Sequence, residues 1–171
     1  MKSLRFLIAS GFALSSLSLF AVLALQAQTP AGKPLPLIVG TWKLNPDKSN
    51  VPVAAGRVEI RQYRLRPDGF LVGLLITSDA QGGYHYLQFT AKSDGRDYPE
   101  YTEVLLADML AAGKPTPRTY SEIVVDEYTT DWTDKRDGKV TSHGKKIVSK
   151  DGKTLTVTVD GSSQIKIYDR Q

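Results

Sequence analysis

The chain reads as a mainly-β protein: an antiparallel up-and-down barrel of eight or nine strands with one short helix, preceded by a signal peptide. Three observations carry that reading. First, Asp137-Gly138, Asp151-Gly152 and Asp160-Gly161 divide the C-terminal quarter into segments rich in Thr, Val, Ile, Tyr and Trp, residue types that favour a pleated, half-buried surface. Asp-Gly suits a two-residue type I′ hairpin, which needs positive φ at both centres. Second, similar reversals recur upstream at Pro67-Asp68-Gly69, Gly82-Gly83 and Asp94-Gly95. Third, strands do not alternate with helices, which excludes a βαβ architecture. Strands this numerous in one small domain pack as a sandwich or close as a barrel. Consecutive hairpins favour the up-and-down barrel, and closure removes sheet edges that would pair with other chains.

The N-terminus is set aside before any fold reasoning. Lys2 and Arg5 form a basic start, Phe6 to Leu25 carries no charge, and Ala27-Gln28 offers a cleavage point. This is the layout of a secretory signal peptide over residues 1–27, and it implies export to the periplasm or the medium. The alternative is an uncleaved anchor, because about 20 apolar residues span a bilayer. Serines and a glycine in the run lower its hydrophobicity and favour cleavage, which leaves no stable membrane span. The chain has no Cys, so no disulfide supports it in an oxidising compartment. Loss of Lys2 and Arg5 takes the formal charge from +4 to +2, too little for the basic footprint of a nucleic-acid binder.

Residues 28–37 hold three prolines and read as an extended lead-in, with the barrel domain spanning 38–171. Ile38 to Leu44 is the first strand, with Gly40, Trp42 and Leu44 on one face. Asn45 to Ser49 turns it, and Asn50 to Gly56 is irregular. Arg57 to Leu65 alternates: Val58, Ile60 and Gln62 face one way, and Arg57, Glu59, Arg61 and Tyr63 the other. Phe70 to Thr77 is apolar on both faces, as expected of a strand covered on both sides. Tyr84 to Ala91 sets Tyr84, Tyr86 and Gln88 against His85, Leu87 and Phe89. Arg96 to Pro99 opens the least regular region. Glu103 to Ala112 is the helix, capped by Thr102, ended by Gly113 and Pro115, and carrying Leu106, Met109 and Leu110 on one face; a strand over Thr102 to Ala107 is the alternative. Thr119 to Asp126 is a further strand leading into the four-stranded C-terminal meander.

Gly40-Thr41-Trp42-Lys43-Leu44-Asn45, followed by Lys48-Ser49, resembles the Gly-x-Trp opening of the calycins, the lipocalins and fatty-acid-binding proteins. Asp94-Gly95-Arg96-Asp97-Tyr98-Pro99, Asp137-Gly138-Lys139 and Ser149 to Val157 resemble a group of exported bacterial lipocalin-like proteins with no settled biochemical role. The resemblance implies a calycin barrel and, with it, a ligand cavity. It also implies that Lys166-Ile167-Tyr168 corresponds to a cation-x-Tyr pair that binds a carboxylate inside the fatty-acid-binding barrels. A Lys at that place acts as a point charge and lacks the bidentate grip of the usual Arg. The helical pair that follows the first strand in those relatives has no counterpart in Asn45 to Gly56.

Hydrolytic triads, metal motifs and phosphate loops are absent from the sequence, so no catalytic residue, metal ligand or cofactor is assigned. His85 and His143 lie on separate strands without a partner at ligand spacing, and Asp131, Asp134, Glu100 and Glu103 read as surface carboxylates. Trp42 is either core near the barrel floor or a stacking surface for a ligand. Arg61, Tyr63, Tyr84 and Tyr86 either line a cavity or face outward, with Val58, Ile60, Leu87 and Phe89 filling the core. Trp132 carries the same ambiguity. The candidate ligand set is therefore Trp42, Arg61, Tyr63, Tyr84, Tyr86, Trp132, Lys166 and Tyr168. The function expected is non-catalytic binding of a small apolar or amphipathic molecule, with Leu106, Met109 and Leu110 as a lid over one mouth. The alternatives are a filled barrel acting as an envelope interaction module and, third, a barrel isomerase.

Overall fold

The computed structural model describes residues 36–53 and 56–171; the expected signal peptide and most of the lead-in lie outside the described residues. The fold is a closed antiparallel barrel of ten strands with one short helix. The strands are β1 (Gly40–Leu44), β2 (Val58–Leu65), β3 (Leu71–Ser78), β4 (Tyr84–Ala91), β5 (Tyr98–Thr102), β6 (Arg118–Val124), β7 (Thr129–Arg136), β8 (Lys139–Val148), β9 (Thr154–Val159) and β10 (Ile165–Arg170), with α1 (Glu103–Ala112) between β5 and β6. Each strand pairs with its sequence neighbours, and the ring closes where β1 meets β10, Trp42 opposite Arg170 and Leu44 opposite Tyr168. Among the described residues no helix is long and apolar enough to cross a membrane.

The count of ten replaces the expected eight or nine. The added strand is β5, in the stretch that reads as irregular. It contains Pro99, which cannot donate to a ladder, and it meets β6 only at Tyr98 opposite Tyr120 and Pro99 opposite Thr119. Its pattern is too short to show an alternation. The helix forms where the cap signals place it: the Thr102 side chain accepts the Leu105 N–H, and Gly113 takes the left-handed conformation at the end. The strand alternative for Thr102 to Ala107 is thereby set aside.

The three Asp-Gly links are not alike. Only Asp137-Gly138 has positive φ at both residues, 50° and 76°, the signature of a type I′ turn. At Asp151-Gly152 and Asp160-Gly161 the glycine alone is left-handed. The reversals stand at the expected places, but two of them use a different turn.

One end of the barrel is packed shut. Trp42, Leu44, Leu71, Phe89, Ala91, Val148, Leu155 and Tyr168 belong to one buried cluster. The Trp42 indole N–H donates to the Ile38 carbonyl at 2.8 Å, and the Arg170 guanidinium lies over its ring at 4.2 Å. Arg170 also donates to the Val39, Leu37 and Gly152 carbonyls, tying the lead-in to the last strand. The opposite end, beyond Leu75 and Leu87, carries the β3–β4 and β9–β10 links and the start of α1, where Thr102 pairs with Leu87.

Candidate functional site

Polar side chains face the interior of this barrel in numbers that a filled apolar core would not hold. On β2 the inward face is Glu59, Arg61 and Tyr63, with Glu59 at 2% and Tyr63 at 3% exposure, while Val58 stands outside at 37%. The expectation that Val58 and Ile60 fill the core is corrected: the charged face of β2 points in. On β4 the apolar face points in, with Phe89 and Ala91 buried, so Tyr84 and Tyr86 belong to the outer face. Tyr84 is 72% exposed.

Glu59 is the hub of the first cluster. Lys166 Nζ donates to both its oxygens at 2.8 and 3.1 Å, and the Tyr168 hydroxyl donates to Oε1. The guanidinium nitrogens of Arg61 and Arg57 stand off at 3.6 and 3.8 Å. Burial pushes the Glu59 carboxyl up, but Arg61, Lys166 and Tyr168 outweigh it and hold the group below the ordinary carboxylate range. Burial and the Glu59 charge raise the Tyr168 hydroxyl above its ordinary value, against the opposing pull of Arg61. The cation-x-Tyr pair of β10 is therefore closed by a carboxylate of the protein itself.

The second cluster joins β6 and β8. Lys146 Nζ donates to the Tyr120 hydroxyl and to Glu122 Oε2, each at 2.6 Å, and Tyr120 donates to the same Glu122 oxygen at 2.6 Å. Ser93 donates to the other Glu122 oxygen at 2.6 Å. The ammonium also sits 5.1, 5.6 and 5.3 Å from the ring centres of Tyr63, Phe89 and Tyr120, a cation held against aromatic rings. Burial raises the Glu122 carboxyl, yet Lys146 and the hydroxyl donors hold it below the usual range.

A third group spans β5, β6, β7 and β8. Arg118 Nε donates to Glu100 Oε2 at 2.9 Å, and Ser142 donates to Asp134 at 3.1 Å. Glu100 is 1% exposed. Burial and the neighbouring Asp134 charge hold Glu100 up at about 7 despite Arg118, and burial holds Asp134 above its ordinary value. In the sequence both carboxylates read as surface residues; the structure places them in the barrel wall. The signal that finds Asp134, and with it Glu122 and Lys146, is phase: Trp132 and Asp134, Tyr120 and Glu122, and Lys146 and Val148 are each two apart on one strand, so the polar member follows its partner inward.

These groups surround a cavity of about 150 Å³. Its wall includes Arg61, Tyr63, Lys146 and Lys166, the carboxylates Glu100 and Asp134, and the apolar Leu75, Leu87, Phe89, Trp132 and Val157. Of the candidate ligand set, Arg61, Tyr63, Trp132 and Lys166 line this space. Tyr168 stands behind Lys166 on Glu59, and Trp42 closes the packed end, away from the lining. Tyr84 is not in either recess, while Tyr86 borders a shallower one at the rim with Leu75, Leu87, His85 and Glu103.

That rim is fixed by Glu103, which accepts the Tyr86 N–H at 2.9 Å and pairs with His85 Nδ1 at 2.7 Å. Among the described residues, neither Leu106 nor Leu110 of the expected lid lines the cavity. Leu110 is 73% exposed and Val104 62%, and the Met109 side chain lies outside the described residues. Among the described residues no group of three His, Cys, Asp or Glu is arranged to hold a metal ion. No protein-family model matches the chain, and a search of curated proteins finds no match for it.

Proposed function

We propose that this is an exported, lipocalin-like protein that binds one small amphipathic molecule inside the barrel, without catalysis. The observation that carries the reading is the cavity itself, with apolar walls and a few converging polar groups, the usual make-up of a small-molecule site. A filled barrel used as an interaction module would leave no such space. The volume also bounds the ligand. A cavity of about 150 Å³ holds a molecule the size of benzene, so long-chain lipids and haem are too large to be enclosed. The catalytic alternative has one specific observation in its favour, the Glu100 carboxyl held at about 7 in the cavity wall, since groups poised near neutrality suit proton transfer. Native mass spectrometry of protein purified from its own host tests the binding reading. The expected spectrum contains a species heavier than the bare chain by the mass of one compact molecule; bare polypeptide alone, with no binding across a panel of one-ring compounds, would remove it.

A further inference from the structure

Three cations share the single carboxylate of Glu59, and Lys166 and Tyr168 take its hydrogen bonds. Arg61 is left at 3.6 Å, beyond hydrogen-bond range, with its Nε buried and without a partner among the described residues. Its Cζ lies over the Tyr168 ring, 5.0 Å from the centroid. Directly across the ring of ten, five strands away by either route, β7 carries Trp132. Its indole N–H is likewise buried and without a partner among the described residues. Both side chains line the cavity. The two carboxylates of the lining do not serve them by hydrogen bonds: Glu100 holds Arg118, and Asp134 accepts from Ser142. Burial works against the Arg61 charge and the neighbouring Tyr168, Tyr63 and Glu59 outweigh it, but a buried N–H left without an acceptor is still costly, and an entering acceptor offsets that cost.

We infer that the cavity selects a compact organic anion about one aromatic ring in size, its carboxylate or equivalent acceptor held by Arg61 and its ring lying against Leu75, Leu87 and Phe89. The inference rests on the binding reading above and adds the chemical class of the ligand. It moves the anion anchor from the Lys166–Tyr168 pair, which Glu59 already occupies, to β2. The wall tolerates such a ligand because Arg61, Lys146 and Lys166 line it beside the carboxylates Glu100 and Asp134, and burial with the Asp134 charge holds Glu100 up at about 7.

Isothermal titration of the purified protein with benzoate, benzyl alcohol and benzylamine tests this. These probes share a ring and differ in charge. Benzoate is expected to bind roughly tenfold to a hundredfold more tightly than benzyl alcohol, the range of a hydrogen bond to a charged group, and benzylamine the most weakly. Arg61→Met should bring benzoate down to the benzyl alcohol value, and Arg61→Lys, which keeps the charge without the fork, should fall between. Retained benzoate preference in folded Arg61→Met, or equal binding of benzyl alcohol and benzoate by the natural protein, overturns the anion class while the cavity reading stands. Failure of all three probes overturns both.

Discussion

Lys146 reaches the interior although its strand neighbours Lys145 and Ile147 face out. The ammonium is stable there because it meets Glu122, Tyr120 and three ring faces at once. Removing one member of a buried ion pair leaves an uncompensated charge, which costs about 3–5 kcal/mol. Lys146→Met is therefore expected to lose about that much in urea unfolding, and Lys146→Met with Glu122→Gln to recover most of it; an equal loss in single and double variants would contradict the pairing. Glu100 yields a prediction of opposite pH sign to ordinary carboxylates. Its folded value of about 7 lies above the 4.5 of the free group. Its neutral form thus adds stability that is fully present below 4.5 and lost as pH rises towards 7, on the order of 3 kcal/mol in all. Glu100→Gln should flatten the fall in stability between pH 5 and 8, read by thermal unfolding across that range. A variant with the same slope as the natural protein would show that Glu100 is not the group responsible.

Single positions of this kind were hard to read from the chain because a buried charge looks like a surface charge until its partner is known. Glu122 lies between Ser121 and the exposed apolar run Ile123, Val124 and Val125, so composition alone assigns it to the wrong side. Strand by strand, more was legible. The period of two divides β2 and β4 correctly into two faces; what it leaves open is which face turns in. For β4 apolar character decides, and Phe89 is buried. For β2 it misleads, because Lys166 and Tyr168 across the barrel seam supply partners for Glu59 that no local pattern reveals. Helix α1 was legible to its ends, since Thr102 and Gly113 act through contacts within a few residues. β5 was not, because its two partners hold it and its own sequence does not. On β8, Gly144 has a packing reason to be Gly: a Cβ there would overlap the Thr158 carbonyl oxygen of β9, and the residue pairs with Trp132. Gly144→Ala is expected to destabilise by about 1–3 kcal/mol, the range for overpacking, measured by denaturant midpoint. An unchanged midpoint would mean that β8 and β9 stand further apart.

The closed ring determines what the molecule can do. Up-and-down order was legible from the reversals, and closure follows from the meeting of β1 with β10. A ten-stranded ring is wider than the eight strands whose side chains just fill the interior. The space so gained is occupied by three polar clusters and a residual cavity, not by apolar bulk. The two tryptophans stand in contrasting places within it. Trp42 is sealed at the packed end with its N–H on the Ile38 carbonyl, whereas Trp132 lines the cavity with its N–H unpartnered among the described residues. Two-dimensional ¹H–¹⁵N spectra during titration with benzoate read both indole N–H groups in one experiment. A barrel that takes its ligand in this cavity moves the Trp132 indole resonance and leaves that of Trp42 in place; a silent Trp132, or a shift at Trp42 alone, would contradict it.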